Sequence, residues 1–195
     1  MIRRIRRAQY SAMPWRNGMG MTLEIAREPP GPAAPIWRLG LSTISQSGPL
    51  PDLSGYQRCA TLIDGGAYRL DVLGGKSQEL RAVGDTARLP AGSTIACLLL
   101  DGPSRHISLT VREPGTITSV ETLRCERERY LPSDPGAMQA LFCIEGDAIL
   151  AQHHELVEFA KHDSVVSPCN EVSSLRPARS TPALLLRLVW RIAPA

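Results

Sequence analysis

A weak internal repeat constrains this chain more than any other feature. Thr61-Leu62-Ile63-Asp64-Gly65-Gly66-Ala67-Tyr68-Arg69-Leu70 resembles Leu141-Phe142-Cys143-Ile144-Glu145-Gly146-Asp147-Ala148-Ile149-Leu150. In each, an apolar strand ends in an acid and a glycine, and a second strand follows. The run 80–85 is matched in pattern by 157–163, and both lead into a turn with a proline, Pro90 and Pro168. Leu109-Thr110-Val111-Arg112 is matched by Leu188-Val189-Trp190-Arg191. These matches come in order, at an offset of about eighty residues, as a duplicated supersecondary unit would give. The repeat predicts two β-barrel lobes. The expected division is 1–115 and 116–195, the two packed as one globular unit.

Local pattern agrees with an all-β chain. Residues 22–25 and 68–72 alternate polar and apolar, and 106–112 is the cleanest case. There Ile107, Leu109 and Val111 share one face, and His106, Ser108, Thr110 and Arg112 the other. Residues 184–192 are apolar and β-branched enough for a buried strand. Turn signals separate these runs at Gly48-Pro49, Asp64-Gly65-Gly66, Gly74-Gly75-Lys76, Pro90-Ala91-Gly92 and Asp101-Gly102-Pro103. The Pro-rich run 28–35 cannot continue a ladder. Residues 152–161 read as a turn followed by a strand. A composition of 43% hydrophobic and 21% charged residues supplies a buried core.

Several function classes are excluded at this level. A net charge of +3 is too weak to imply nucleic acid. No apolar run approaches the ~20 residues of a membrane span. The basic start, Met1 to Arg7, is followed by no apolar core of a leader, and reads as a first strand with a basic edge. Five cysteines without a CxxC read as reduced thiols, so a cytoplasmic protein is expected. No nucleophile elbow and no phosphate loop occur, and no catalytic residue is assigned. The four histidines, His106, His153, His154 and His162, include no His-x-His pair, and adjacent His153 and His154 point to opposite faces of a strand. Neither a metal nor another cofactor is expected.

The densest segment is 13–26. Pro14 and the glycines after it impose a tight backbone beside Trp15, and a strand then presents Thr22 and Glu24 on one face. A flat indole, an amide (Asn17) and a carboxylate suit a planar polar ligand; the same pattern also suits a loop whose Asn caps its own turn. Pro14-Trp15-Arg16-Asn17-Gly18-Met19-Gly20-Met21-Thr22-Leu23-Glu24-Ile25-Ala26 resembles the signature Pro-Trp-Lys-Asn-Gly-Gly-Gly-x-Thr-x-Glu-Ile-Ala of HutD/Ves proteins. Trp37-Arg38-Leu39, the loop from Gly48-Pro49 to Arg58, and Leu98 to Pro103 ending in Val111-Arg112 resemble further family segments in order. The chain departs from the pattern at Arg16, at Met19, through 50–54, and at His106 and Ser108, where the family has Asp and Asn.

The resemblance implies a bicupin: two RmlC-like jelly-roll lobes related by duplication. It also implies an association with histidine utilisation and no established catalysis. The expected function is non-catalytic binding of a small polar or carboxylate metabolite, such as urocanate or formylglutamate. The candidate ligand-binding residues are Trp15, Asn17, Thr22, Glu24, Arg58, His106 and Ser108. Trp15 would stack, and Arg58 would hold a carboxylate in bidentate fashion. A cupin-type enzyme, metal-dependent or an isomerase, is the alternative. The expected partner is a small-molecule ligand, with no nucleic acid and no membrane; a homodimer is left open.

Overall fold

Period-two alternation needs cross-strand partners, and the computed structural model, which describes residues 1–192, supplies them through nineteen strands. Along the chain these are β1 (Arg3–Ile5), β2 (Ser11–Pro14), β3 (Gly20–Glu28), β4 (Trp37–Ile44), β5 (Gly48–Pro49), β6 (Tyr56–Gly65), β7 (Tyr68–Val72), β8 (Gln78–Leu80), β9 (Thr86–Leu89) and β10 (Ile95–Leu99). There follow β11 (Ser104–Arg112), β12 (Thr116–Cys125), β13 (Arg129–Leu131), β14 (Ala137–Glu145), β15 (Asp147–Gln152), β16 (Glu155–Ala160), β17 (Ser164–Pro168), β18 (Ser173–Pro177) and β19 (Ala183–Arg191). Helix among the described residues is confined to one 3-10 turn, Arg7–Gln9. None is long and apolar enough to cross a membrane.

The chain divides into two compact units. One is Tyr10–Thr116; the other joins Met1–Gln9 to the chain from Ile117 on. The first unit has a sheet of order β2-β3-β4-β11-β6-β9 and another of order β5-β10-β7-β8. The second has sheets of order β1-β17-β14-β19-β12 and β13-β18-β15-β16. Adding eight to each number in β4-β11-β6-β9 gives β12-β19-β14-β17, the second unit's order read from its other end. The same shift turns β5-β10-β7-β8 into β13-β18-β15-β16.

The likeness extends to single residues. Between β6 and β11, Asp64 pairs Arg105 and Leu62 pairs His106, so Ile63 is an extra residue in a bulge. Between β14 and β19, Glu145 pairs Leu184 and Cys143 pairs Leu185, so Ile144 is extra. A bulge bends the strand and sharpens its twist. The glycine after each acid then has a positive φ, +90° at Gly65 and +75° at Gly146. A Cβ there would meet the Pro103 carbonyl oxygen at 2.4 Å and the Pro182 carbonyl oxygen at 2.8 Å, so only glycine lets the chain turn so close to the strand that follows.

Each unit buries its own core between its sheets. In the first unit Ile44, Leu62, Tyr68, Leu70, Leu80 and Leu89 cluster with Cys97. In the second, Leu141, Cys143, Leu150, Phe159, Val165 and Leu185 do so. All five cysteines are unbridged and buried, and burial pushes the Cys59 thiol up to about 11 and Cys97 and Cys143 to about 12.

Two local readings need revision. Gly48-Pro49 is not a free turn: it pairs Cys97 and Ala96 as β5, on a sheet edge where proline's missing N–H costs no ladder bond. Residues 1–9, which a division at 115 places in the first lobe, supply an edge strand to the second unit. Arg3 to Ile5 pair Val166 to Ser164. Asp163 secures them, accepting from the Arg4 guanidinium at 2.8 Å and from the Arg7 backbone N–H at 2.9 Å.

Candidate functional site

In an antiparallel sheet, directly opposed residues put their side chains on the same face, so register lines them up in rows. Three rows cross β3, β4, β11 and β6. The first is Thr22, Ser42, His106 and Leu62. The second is Glu24, Gly40, Ser108 and Ala60. The third is Arg27, Arg38, Thr110 and Arg58. The opposite face carries Leu39, Leu41, Ile107 and Leu109, none more than 1% exposed. Polar rows on a sheet whose other face is mainly apolar and buried mark where the unit opens to something polar.

It opens to a cavity of about 500 Å³. Thr22, Arg38, Ser42, Arg58, His106 and Ser108 come from the rows. The hairpin contributes Met13, Pro14, Trp15, Arg16 and Asn17, and the loop after β5 contributes Leu50, Pro51, Asp52 and Leu53. The middle row leaves the space over β4, β11 and β6, where it is made of Gly40, Ser108 and Ala60. A Cβ on Gly40 would lie 2.7 Å from Thr22 Cγ2.

The hydrogen bonds show which groups are already committed. Trp15 Nε1 donates to Thr22 Oγ1 at 2.9 Å, and the Thr22 and Ser42 hydroxyls are bonded at 2.9 Å. Trp15 therefore keeps its ring face as a wall, while its N–H is used inside the protein. Asn17 is committed at both ends: Nδ2 donates to the Pro49 carbonyl at 2.8 Å, and Oδ1 accepts from Met19 N–H at 3.1 Å. It caps its own turn and ties the hairpin to the loop after β5. Glu24 is not among the lining residues. Its Oε1/Oε2 carboxylate lies beside Arg27, at 3.8 Å, in the row pattern next to Arg38.

The charged groups are less well matched. Arg58, 8% exposed, donates from Nη2 to the Pro51 carbonyl at 3.0 Å. Among the described residues neither Arg58 nor Arg38 has a carboxylate within ion-pair distance. Burial, then the nearby Arg38 charge, pull Arg58 down to about 10, partly offset by Asp52. Burial also lowers Arg38, with Glu24 opposing. His106 is 3% exposed and its Nδ1 has no hydrogen-bond partner. Burial and the Arg58 charge push it down to about 3, so it is a neutral imidazole at pH 7. The Tyr68 ring lies 5.8 Å from it, and the Tyr68 hydroxyl is also without a partner.

This donor set does not suit a metal ion. Guanidinium groups do not ligate, and the lining offers one imidazole and one carboxylate, Asp52, which already accepts the Ser54 N–H and O–H. Among the described residues no three His, Cys, Asp or Glu side chains are grouped to hold one. What the cavity does offer is positive charge: Arg16, Arg38 and Arg58 against Asp52.

Arg38 and Ser42 were not singled out from sequence. The usable signal was the alternation Arg38-x-Gly40-x-Ser42 against Trp37, Leu39 and Leu41. A strand with one wholly apolar face and an arginine among small residues on the other is a cavity floor when the sheet is closed over.

The HutD family model matches residues 7–183. Among curated relatives, an uncharacterized 21.2 kDa protein in the hutC 3′ region of Pseudomonas putida is 37% identical over 106 residues, 54% of this chain and 55% of that one. The protein Ves of Escherichia fergusonii is 34% identical over 67 residues, 34% of this chain and 35% of that one. The chain thus spans about half or less of the length of the curated relatives it matches. The crystal structure of a conserved protein of unknown function from Pseudomonas aeruginosa PAO1 superposes with a TM-score of 0.87 at 27% identity, covering 98% of this chain and 99% of that one. Solved structures at 8–11% identity, with TM-scores of 0.67–0.73, are cupin-like, a likeness that shows the fold alone.

Proposed function

The chain belongs to the HutD family, and from that premise we propose that its Tyr10–Thr116 unit binds a small carboxylate metabolite without converting it. The observation that carries this reading is the buried guanidinium of Arg58 beside the half-buried one of Arg38, both facing a cavity with no carboxylate in ion-pair contact with either. A buried cation costs several kcal/mol of desolvation unless it is paired. A guanidinium presents parallel N–H groups that match a carboxylate, so an anionic ligand supplies the missing partner. A urocanate- or formylglutamate-like acid is the ligand class that the family points to. The lining holds no nucleophile paired with a base, which supports binding rather than turnover.

The architecture we propose is a pair of cupin lobes descended from one unit. The shared strand orders, the matched bulges at Ile63 and Ile144, and the matched glycines support it. Five buried unbridged thiols support a reducing compartment, the cytoplasm.

The test is calorimetric titration of the whole protein with urocanate and with formylglutamate, beside Arg58→Gln. Binding that weakens by about 2 kcal/mol, roughly thirtyfold, in the variant is the expected result. Neither acid binding the wild type, or both binding the variant equally well, overturns the reading.

A further inference from the structure

Two strongly exposed apolar side chains of the second unit stand in one row. Register sets Tyr130, Ser174, Ala151 and Leu156 side by side across β13, β18, β15 and β16. Their chain neighbours Leu131, Leu175, Leu150 and Val157 pack into the core, so the row lies on the outer face of the sheet. Tyr130 is 72% exposed and Leu156 69%. The next row on this face is Arg176, Ile149 and Glu158. The two ends of the face differ in charge. At the β13 end Arg124 pairs Glu126, which leaves Arg127, Arg129 and Arg176 against Glu128. At the other end β16 carries Glu155 and Glu158 and no basic residue. Among the described residues neither Arg176 nor Glu158 has an ion-pair partner. The matching face of the first unit is built otherwise. Its row includes Pro49, Ala96 and Asp71, and the Asp71 carboxylate accepts from Arg69 and Ser77. That face settles its own charges and has a carboxylate where the second unit has Ala151.

We propose that the outer face of β13-β18-β15-β16 docks a second copy of the chain, through a two-fold axis parallel to the strands. A wholly acidic partner would suit the β13 end and be repelled at β16, and a basic one the reverse. A second copy with its ends reversed suits both. About that axis the partner's β16 lies over β13, and its β13 over β16. Tyr130 then meets the partner's Leu156. Arg176 lies one strand spacing to the side, about 4.8 Å, of the partner's Glu158, and each contact occurs twice. The facing sheets keep their strands aligned, the ordinary way for two sheets to stack. Strands of up to six residues, four abreast, make a face of about 400 Å². That is about half of what each partner gives to a standard interface, so the dimer is weak and reversible. The face belongs to the second unit, and its docking is independent of the carboxylate reading above.

Sedimentation velocity of the full chain from about 1 µM to about 1 mM reads the association. Expected is a passage from monomer toward dimer within that range. Leu156→Lys, at a side chain outside the core, should weaken association about tenfold with the thermal unfolding midpoint unchanged. Glu158→Arg and Arg176→Glu should each weaken it, because either sets like charges together. The double variant should associate more tightly than either single one, since it restores the opposite-charge contact with its signs exchanged. A chain that stays monomeric at the top of the range leaves the face to another partner or to none, and overturns the proposal. A dimer indifferent to Leu156→Lys lies on another surface and overturns it as well. A double variant no better than the single ones removes the two-fold arrangement.

Discussion

The two units run their strands in the same order and end in opposite ways. Counting back from the arginine that closes β11 and β19, Arg112 and Arg191, Ser108 corresponds to Arg187 and His106 to Leu185. Across the ladder, Arg58 then corresponds to Gln139. The first unit has a serine over open space and a guanidinium with one protein partner. The second has a guanidinium that fills the place and is bonded nearly all round. Arg187, 3% exposed, donates to Gln139 Oε1 at 3.0 Å, to Glu121 Oε1 at 3.1 Å, to the Pro132 carbonyl at 2.8 Å and to Cys169 Sγ at 3.3 Å. The pair Tyr68 and His106 is answered by Ala148 and Leu185. At this place one frame is closed by a guanidinium bonded to four groups, while its twin keeps Arg58 with one partner and His106 Nδ1 with none. The fold does not need a buried imidazole or a buried guanidinium without a carboxylate partner, because the second unit is built without them.

Breaking the plugged unit should have the largest effect. Arg187→Ala leaves Gln139, the Pro132 carbonyl and part of Glu121 without a donor, and should cost about 3 kcal/mol in denaturant unfolding. Arg58→Ala removes a poorly paired buried charge and should cost under about 1 kcal/mol. Equal losses in the two variants would mean that the units do not differ as described. A second experiment exchanges the imidazole. The unfolded chain takes up a proton near the ordinary histidine value, about 6.5, that folded His106 refuses until about 3. More protons on the unfolded state mean that stability falls as pH drops through that window, by at most about 1.4 kcal/mol per pH unit. His106→Leu, which installs the residue of the second unit, should flatten this slope; an unaltered slope would place the titration elsewhere. The smallest effect is expected of Asn17→Ala, which frees the hairpin from Pro49. It should cost about 1 kcal/mol and speed amide exchange at 49–54, with the second unit's amides unchanged.

Much of the frame was legible because strand signals are local. The alternation in 106–112 places His106 and Ser108 on the polar face of β11, where the structure has them. The repeat worked because equivalent bulges and glycines leave an acid–glycine mark in the sequence. What could not be read were the destinations of polar groups. Trp15 N–H and the Asn17 amide look available until Thr22 and Pro49 are brought beside them by pairing. Glu24 shares a face with Thr22 by period two, but lies one row further on and just before a register shift toward Ala26. Its carboxylate meets arginines of the next row instead of the lining. Arg38 escaped because an arginine on a strand reads as solvated until Trp37, Leu39 and Leu41 on the strand's other face prove to be buried.

The first strand has a consequence for how the molecule is made. Arg3 to Ile5 pair with Val166 to Ser164, so this segment leaves the ribosome long before the strand it pairs with. At about 5–20 residues per second, roughly ten to thirty seconds of synthesis separate the two. The Tyr10–Thr116 unit is by then fully synthesised, and its own pairings all fall within it. Through that interval the leading strand is an unpaired edge, the kind of segment on which nascent chains aggregate. The arginines at 3, 4, 6 and 7 carry positive charge along it and repel a second such edge. The arginines along this strand therefore have a use in time: they keep it single until Asp163 arrives to hold it.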